Sequence, residues 1–105
     1  MRDVTKLPDL VIAAGDTDSP QMAAYLVYDG ADALTIFAPA VLGAGEDITV
    51  QVCDVDNGTQ VWRDVPDSTI AANGVITFSA PAWAAFRIHS AVAVAADRTF
   101  NINIQ

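Results

Sequence analysis

Near its C-terminus the chain alternates. Phe100, Ile102 and Ile104 fall on one side of a period-2 pattern, and Thr99, Asn101, Asn103 and Gln105 fall on the other. A strand written this way has an apolar face to bury and an amide-rich face to show to water. The stretch before it, Ala84 to Ser90, sets Phe86 and Ile88 against Arg87 and His89. Between the two lies a small-residue connector, Ala91 to Ala96. A chain that ends on so well-patterned a strand uses it inside a sheet, so these two strands are expected to form a pair around which the rest assembles.

The same period recurs upstream. Asp9–Ala14, Met22–Asp29, Ala33–Ala38, Ile48–Val55, Thr59–Val65 and Val75–Ser79 read as strands, and Thr69–Ala72 as a short edge piece. In Ile48–Val55 the alternation places Ile48, Val50 and Val52 on one face and Thr49, Gln51 and Cys53 on the other. Asp56-Asn57-Gly58 and Asn73-Gly74 read as tight hairpin turns, and Gly15–Pro20 as a turn of residues suited to it. Pro81–Ala85 reads as a corner anchored by Trp83. No segment sustains a helical period. Twelve of the thirteen acidic residues are Asp and only Glu46 is Glu, a bias toward turns over helices. The prediction is an all-β domain: an antiparallel β-sandwich, Greek-key or jelly-roll in connection, with seven to nine short strands. Residues 1–8 are expected to be an N-terminal arm and 9–105 the sandwich, within a length that suits one domain.

Composition narrows the function. Charged residues make up 17% of the chain, against about 25% in an ordinary soluble domain. Sparse charge is expected where other chains cover part of the surface, and equally in an Ala-rich soluble domain. The net charge is −8, with Lys6 the sole lysine and Arg2, Arg63, Arg87 and Arg98 the arginines. That basic set is too thin to neutralise phosphates, so direct nucleic-acid or anionic-membrane binding is not expected. No apolar run reaches the length of a membrane-spanning helix, and the N-terminal residues lack the apolar centre of a signal peptide. Cys53 is alone and forms no internal disulfide.

Catalytic and metal readings of the sequence compete with simpler ones. Asp54-Val55-Asp56-Asn57-Gly58 resembles the start of a calcium loop. Its glycine comes one place early, however, and Val65 stands where a bidentate Glu is needed, so a hairpin turn accounts for it. Gly15-Asp16-Thr17-Asp18 is a weaker match. Cys53 and His89 are the one thiol and the one imidazole; both sit in predicted strands and read as a buried small side chain and a strand-face polar group. Trp62, Trp83, Tyr25 and Tyr28 could line a sugar-binding groove, but read first as core or interface anchors. No catalytic residue, metal or cofactor is expected.

Phe86-Arg87-Ile88-His89-Ser90 and Ala96-Asp97-Arg98-Thr99-Phe100, with the small-residue loop between them, resemble the C-terminal part of small all-β virion proteins of tailed bacteriophages. Leu34-Thr35-Ile36, Ile48-Thr49-Val50-Gln51-Val52 and Gln60-Val61-Trp62-Arg63-Asp64-Val65 resemble earlier strands of the same proteins. The resemblance covers about three-quarters of the chain and rests on strand patterns. It implies a non-enzymatic virion component assembled in the host cytoplasm. A capsid decoration (cement) protein bound at capsomer boundaries to the major capsid protein or another virion protein comes first. A small tail, neck or fibre part, or a carbohydrate-binding β-sandwich module, is the alternative. It also implies a homo-oligomer, a trimer before a dimer. Contacts are expected at the arm (Arg2, Leu7), the connector (Ala91, Val92, Val94) and the amide face of the last strand (Asn101, Asn103, Gln105).

Overall fold

A computed structural model describes residues 4–23, 32–55, 58–79 and 83–105. Its strands are β1 (Thr5–Ile12), β2 (Met22–Ala23), β3 (Ala33–Phe37), β4 (Ile48–Cys53), β5 (Arg63–Asp64), β6 (Val75–Ser79), β7 (Ala85–Ser90) and β8 (Arg98–Ile104). They form two four-stranded sheets, in the orders β1-β8-β3-β6 and β2-β7-β4-β5. Every pairing is antiparallel. β1 lies beside β8, β2 beside β7, β3 beside β6 and β4 beside β5. The chain is thus one long hairpin, folded over itself and wound across two sheets. This is a jelly roll, one of the two connections the strand pattern allowed.

The core forms where the inner faces meet. Leu10, Ile12, Leu34, Ile36, Phe100 and Ile102 come from the first sheet, and Met22, Ile48, Val50, Phe86 and Ile88 from the second. Phe86 and Phe100, the largest fully buried side chains, come one from each sheet. Trp83 packs edge-on against Phe78, with ring centroids 5.1 Å apart, and tilted against Phe86 at 6.2 Å. It is an anchor, as its corner position suggested.

The two C-terminal strands do not pair with each other. β7 sits inside one sheet and β8 inside the other, and each takes neighbours on both sides. The connector between them crosses from sheet to sheet, which is why Val94 turns inward and is 2% exposed. Asn73 and Gly74 do make a turn. Asn73 has a positive φ, and the Gly74 N–H donates to the Ala71 carbonyl at 2.8 Å. This turn again changes sheets instead of closing a hairpin. Ile70 bridges to Ile48 in one sheet, while β6 pairs with β3 in the other.

The expected boundary between arm and domain also moves. β1 starts at Thr5, and Thr5, Lys6 and Leu7 pair with Ile104, Asn103 and Ile102. Pro8 is not the end of an arm. It sits on an edge strand, where its missing N–H is tolerated, and the register shift between Leu7 and Leu10 absorbs it. The β4–β5 hairpin is present, with Gln51 opposite Asp64 and Val52 opposite Arg63. Residues 24–31 and 56–57 lie outside the described residues. With them go most of the expected Met22–Asp29 strand, Tyr25, Tyr28, and the middle of the calcium-like stretch.

Candidate interaction surface

Three loops meet at one end of the sandwich. They are Ala13–Thr17 after β1, Ala38–Asp47 between β3 and β4, and Ala91–Asp97 between β7 and β8. The backbone ties them together. Gly15 N–H donates to the Val94 carbonyl (2.8 Å), Val94 N–H to Asp16 (3.0 Å), Ser90 N–H to Thr17 (2.7 Å) and Ala91 N–H to Asp47 (3.1 Å). Asp97 Oδ1 accepts the Ala14 N–H at 2.8 Å.

Beneath them lies a buried ion pair. Arg98 Nε donates to Glu46 Oε1 at 2.8 Å and its terminal nitrogen to Oε2 at 3.2 Å, with the side chains 11% and 3% exposed. This two-pronged geometry is the strong form of an Arg–carboxylate contact. The Ala95 N–H also donates to Glu46 Oε2, at 3.3 Å. A hydrogen bond from the Gly43 backbone adds to these, and the set holds the Glu46 carboxyl down at about 2, Arg98 contributing most. A Cβ at Gly43 would strike the Glu46 carboxylate and push it out of its present position. Glu46 therefore joins its own loop to the β7–β8 connector and to the start of β8.

What this clasp supports is an apolar, small-residue surface. Val41 is 65% exposed and Val92 43%. Ala13, Ala14, Ala40, Ala44, Ala91, Ala93, Ala95 and Ala96 are exposed around them. Asp16, Asp47 and Asp97 are exposed at the margin, and the one cation of these loops and their strand ends, Arg98, is buried in its pair. An apolar end with an acidic rim can dock against an apolar surface that has basic neighbours.

Other expected contact residues fall elsewhere. Leu7 is half-buried against the core and Val94 is in it, so neither is an open contact. Val94 is buried because the crossing connector needs one apolar side chain to hold it down. Asn101 is exposed and donates to Asp9 Oδ1 at 3.0 Å; Asn103 and Gln105 are half-buried. Arg2 lies outside the described residues.

Cys53 and His89 are not brought together. β4 and β7 pair with Cys53 opposite Ala85 and His89 opposite Thr49. Cys53 is buried, 3% exposed, although the alternation placed it outward. The period breaks at the end of β4, where the thiol turns toward the Val55 carbonyl, 2.9 Å away. Replacing Cys53 with Ser is expected to cost a packing term of about 1 kcal/mol, read as a small fall in thermal midpoint. A loss of several kcal/mol would mean the thiol does more than fill space.

His89 faces outward and its Nδ1 lies 2.6 Å from Asp18 Oδ1. Next to it, Arg87 donates to Gln51 Oε1 (2.9 Å) and stacks 4.4 Å above the Trp62 ring, while Gln51 donates to Asp64 (3.0 Å). Sequence reasoning missed this network, because its members come from four separate stretches.

No protein-family model matches the chain, and no curated protein matches it. Among solved structures it is similar to the SPBc2 prophage-derived protein YomS, with a TM-score of 0.63 and 13% identity, over 99% of this chain and 96% of that one. It is also similar to a chain of the Bacillus endospore appendages, described as disulfide-linked pili, with a TM-score of 0.39 and 17% identity, over 98% and 85%. The likeness to YomS is one of fold.

Proposed function

We propose that this protein is a non-enzymatic structural component of a bacteriophage particle: a decoration protein that seats its loop end on the outer surface of the capsid. The observation that carries the reading is the apolar end built from three loops and clasped by the buried Glu46–Arg98 pair. An ion pair spent on holding loops in one shape makes sense where the loops must present a preformed surface, since preorganisation lowers the ordering cost of binding. Apolar area removed from water at capsomer boundaries would stabilise the head, at about 25 cal/mol per Å² before association costs. Repetition over the shell multiplies weak single contacts. The strand-pattern resemblance to phage virion proteins supports the same reading. The fold does not choose for us, because jelly rolls serve in viral capsids and in lectins alike.

The competing carbohydrate-module reading rests on Trp62 in the outer-face polar network. Arg87 already covers one face of that ring, which leaves less of it for a sugar.

The test is co-sedimentation with undecorated capsids. Native protein is expected to bind. Val92→Asp, which places a charge in the contact without touching the core, is expected to lose at least about tenfold in affinity. A protein that ignores capsids yet binds a glycan array would overturn the decoration reading in favour of the carbohydrate module.

A further inference from the structure

The sandwich has four sheet edges, and three are blunted. β1 carries Lys6, Pro8 and a register shift. β2 and β5 are two residues long, and β5 is Arg63-Asp64. Beyond those short strands, the long strands of that sheet are closed by loops. Ser19 and Thr17 bond to Ile88 and Ser90 of β7, and Val65, Ser68 and Ile70 bond to Val50 and Ile48 of β4. These are the usual devices against edge-to-edge pairing.

β6 has none of them. It is five residues, Val-Ile-Thr-Phe-Ser, with no charge, no proline and an unbroken register against β3. Among the described residues no strand or loop bonds to its outer side. Its inward residues Ile76 and Phe78 are only half-buried, while their partners on β3, Ile36 and Leu34, are fully buried. Val75 is 58% exposed beside Phe37 at 38%. The apolar layer runs out to this edge, where Trp83 packs against Phe78 and, among the described residues, no further strand covers it.

The direction of the free groups follows from the ladder. Ala33 and Gln105 exchange both backbone bonds, and the Ala38 N–H donates to Gly74. Antiparallel alternation then points the backbone of Leu34 and Ile36 toward β6, and that of Ile76 and Phe78 back toward β3. The N–H and C=O groups of Val75, Thr77 and Ser79 face outward.

We infer that β6 pairs antiparallel with β6 of a second copy across a two-fold axis near Thr77. The segment is self-complementary in that register. Thr77 meets Thr77, and Val75 meets Ser79 through outward backbone groups, while Ile76 and Phe78 meet on the core side and close the apolar layer. A chain of charge −8 repels its own copy over most of its surface, and this edge carries no charge to oppose the approach. A head-to-tail arrangement would need β1 as partner, where Pro8 and the register shift interrupt the ladder. The self-paired edge therefore gives an isologous dimer, with the two four-stranded sheets merged into one. The inference stands independently of the capsid reading, which uses a different feature of the fold, its loop end.

The test is sedimentation velocity on the full chain. One strand pair is a small interface, so the series runs from about 10 μM to about 1 mM. The native protein is expected to shift from monomer to dimer across that range, and the Thr77 amide to exchange slowly only at the high end. Thr77→Pro removes an N–H that the β3 ladder does not use, so the monomer folds with its circular dichroism unchanged and stays monomeric throughout. Thr77→Lys keeps the backbone and sets two cations face to face; it too stays monomeric. Val92→Asp, at the loop end, dimerises like the native protein. A native protein monomeric to 1 mM, or Thr77 variants that dimerise as well as it does, would overturn the inference.

Discussion

A chain ending at Arg98 is expected not to fold. The seven residues it lacks are nearly the whole of β8, which among the described strands joins β1 to β3 and β6. Without it β1 has no partner in its sheet, and β3 with β6 is left as a two-stranded ribbon, which is marginal in water on its own. The inner face also loses Phe100 and Ile102, both fully buried, and the half-buried Ile104. Burying a side chain of this kind is worth about 1.5–3 kcal/mol, so the three together rival the whole stability of a small domain, about 5–15 kcal/mol. Far-UV circular dichroism should report a disordered chain with no cooperative melt. The single substitution Phe100→Ala gives a graded version, expected to cost about 3–5 kcal/mol and to lower the midpoint by about 4–8 °C for each kcal/mol. Thr99→Ala, on the wet face of the same strand, should stay within about 0.5 kcal/mol. A truncated chain that keeps the native spectrum and melt would show that β8 is an accessory.

The alternation that singled out Phe100, Ile102 and Ile104 also marked Phe86 and Ile88, and Ile48, Val50 and Val52, and all of these inner-face residues except the half-buried Ile104 and Val52 are fully buried. A period of two depends only on the pleat of the strand, so local sequence carries it. Which strand lies beside which is set elsewhere. Thr5 meets Ile104 because the two ends of a long folded hairpin meet, and no local pattern records that. For the same reason the last two strands, adjacent in sequence and alike in pattern, could not be told from a pair when they are in fact central strands of opposite sheets. Pro8 misled because proline breaks a central strand but is admitted at an edge. The clasp left a trace that went unread. Glu46 is the one glutamate among twelve aspartates, in a loop with glycine at 43 and 45. The extra methylene lets its carboxylate reach Arg98, and Gly43 makes the room.

That clasp sets the second large effect, the response to acid. Arg98, then the backbone bonds from Gly43 and Ala95, bring the Glu46 carboxyl to about 2 from an ordinary value of 4.5, against a desolvation that pushes the other way. A carboxyl whose value is depressed in the folded state stabilises that state fully above its unfolded value. It loses the contribution as the pH drops through the folded one. The native midpoint is therefore expected to fall between about pH 4.5 and pH 2. Glu46→Gln isolates the contribution. It cannot titrate, and it leaves the Arg98 guanidinium buried without its counter-charge, so the variant melts well below the native protein at pH 7, and the gap closes as the pH approaches 2. Removing both charges, in Glu46→Gln with Arg98→Met, is expected to cost less than Glu46→Gln alone, because no uncompensated charge remains inside. Thermal melts of the three proteins from pH 7 to pH 2 decide it. If native and Glu46→Gln lose stability in parallel across that range, the buried pair is not what the acid breaks.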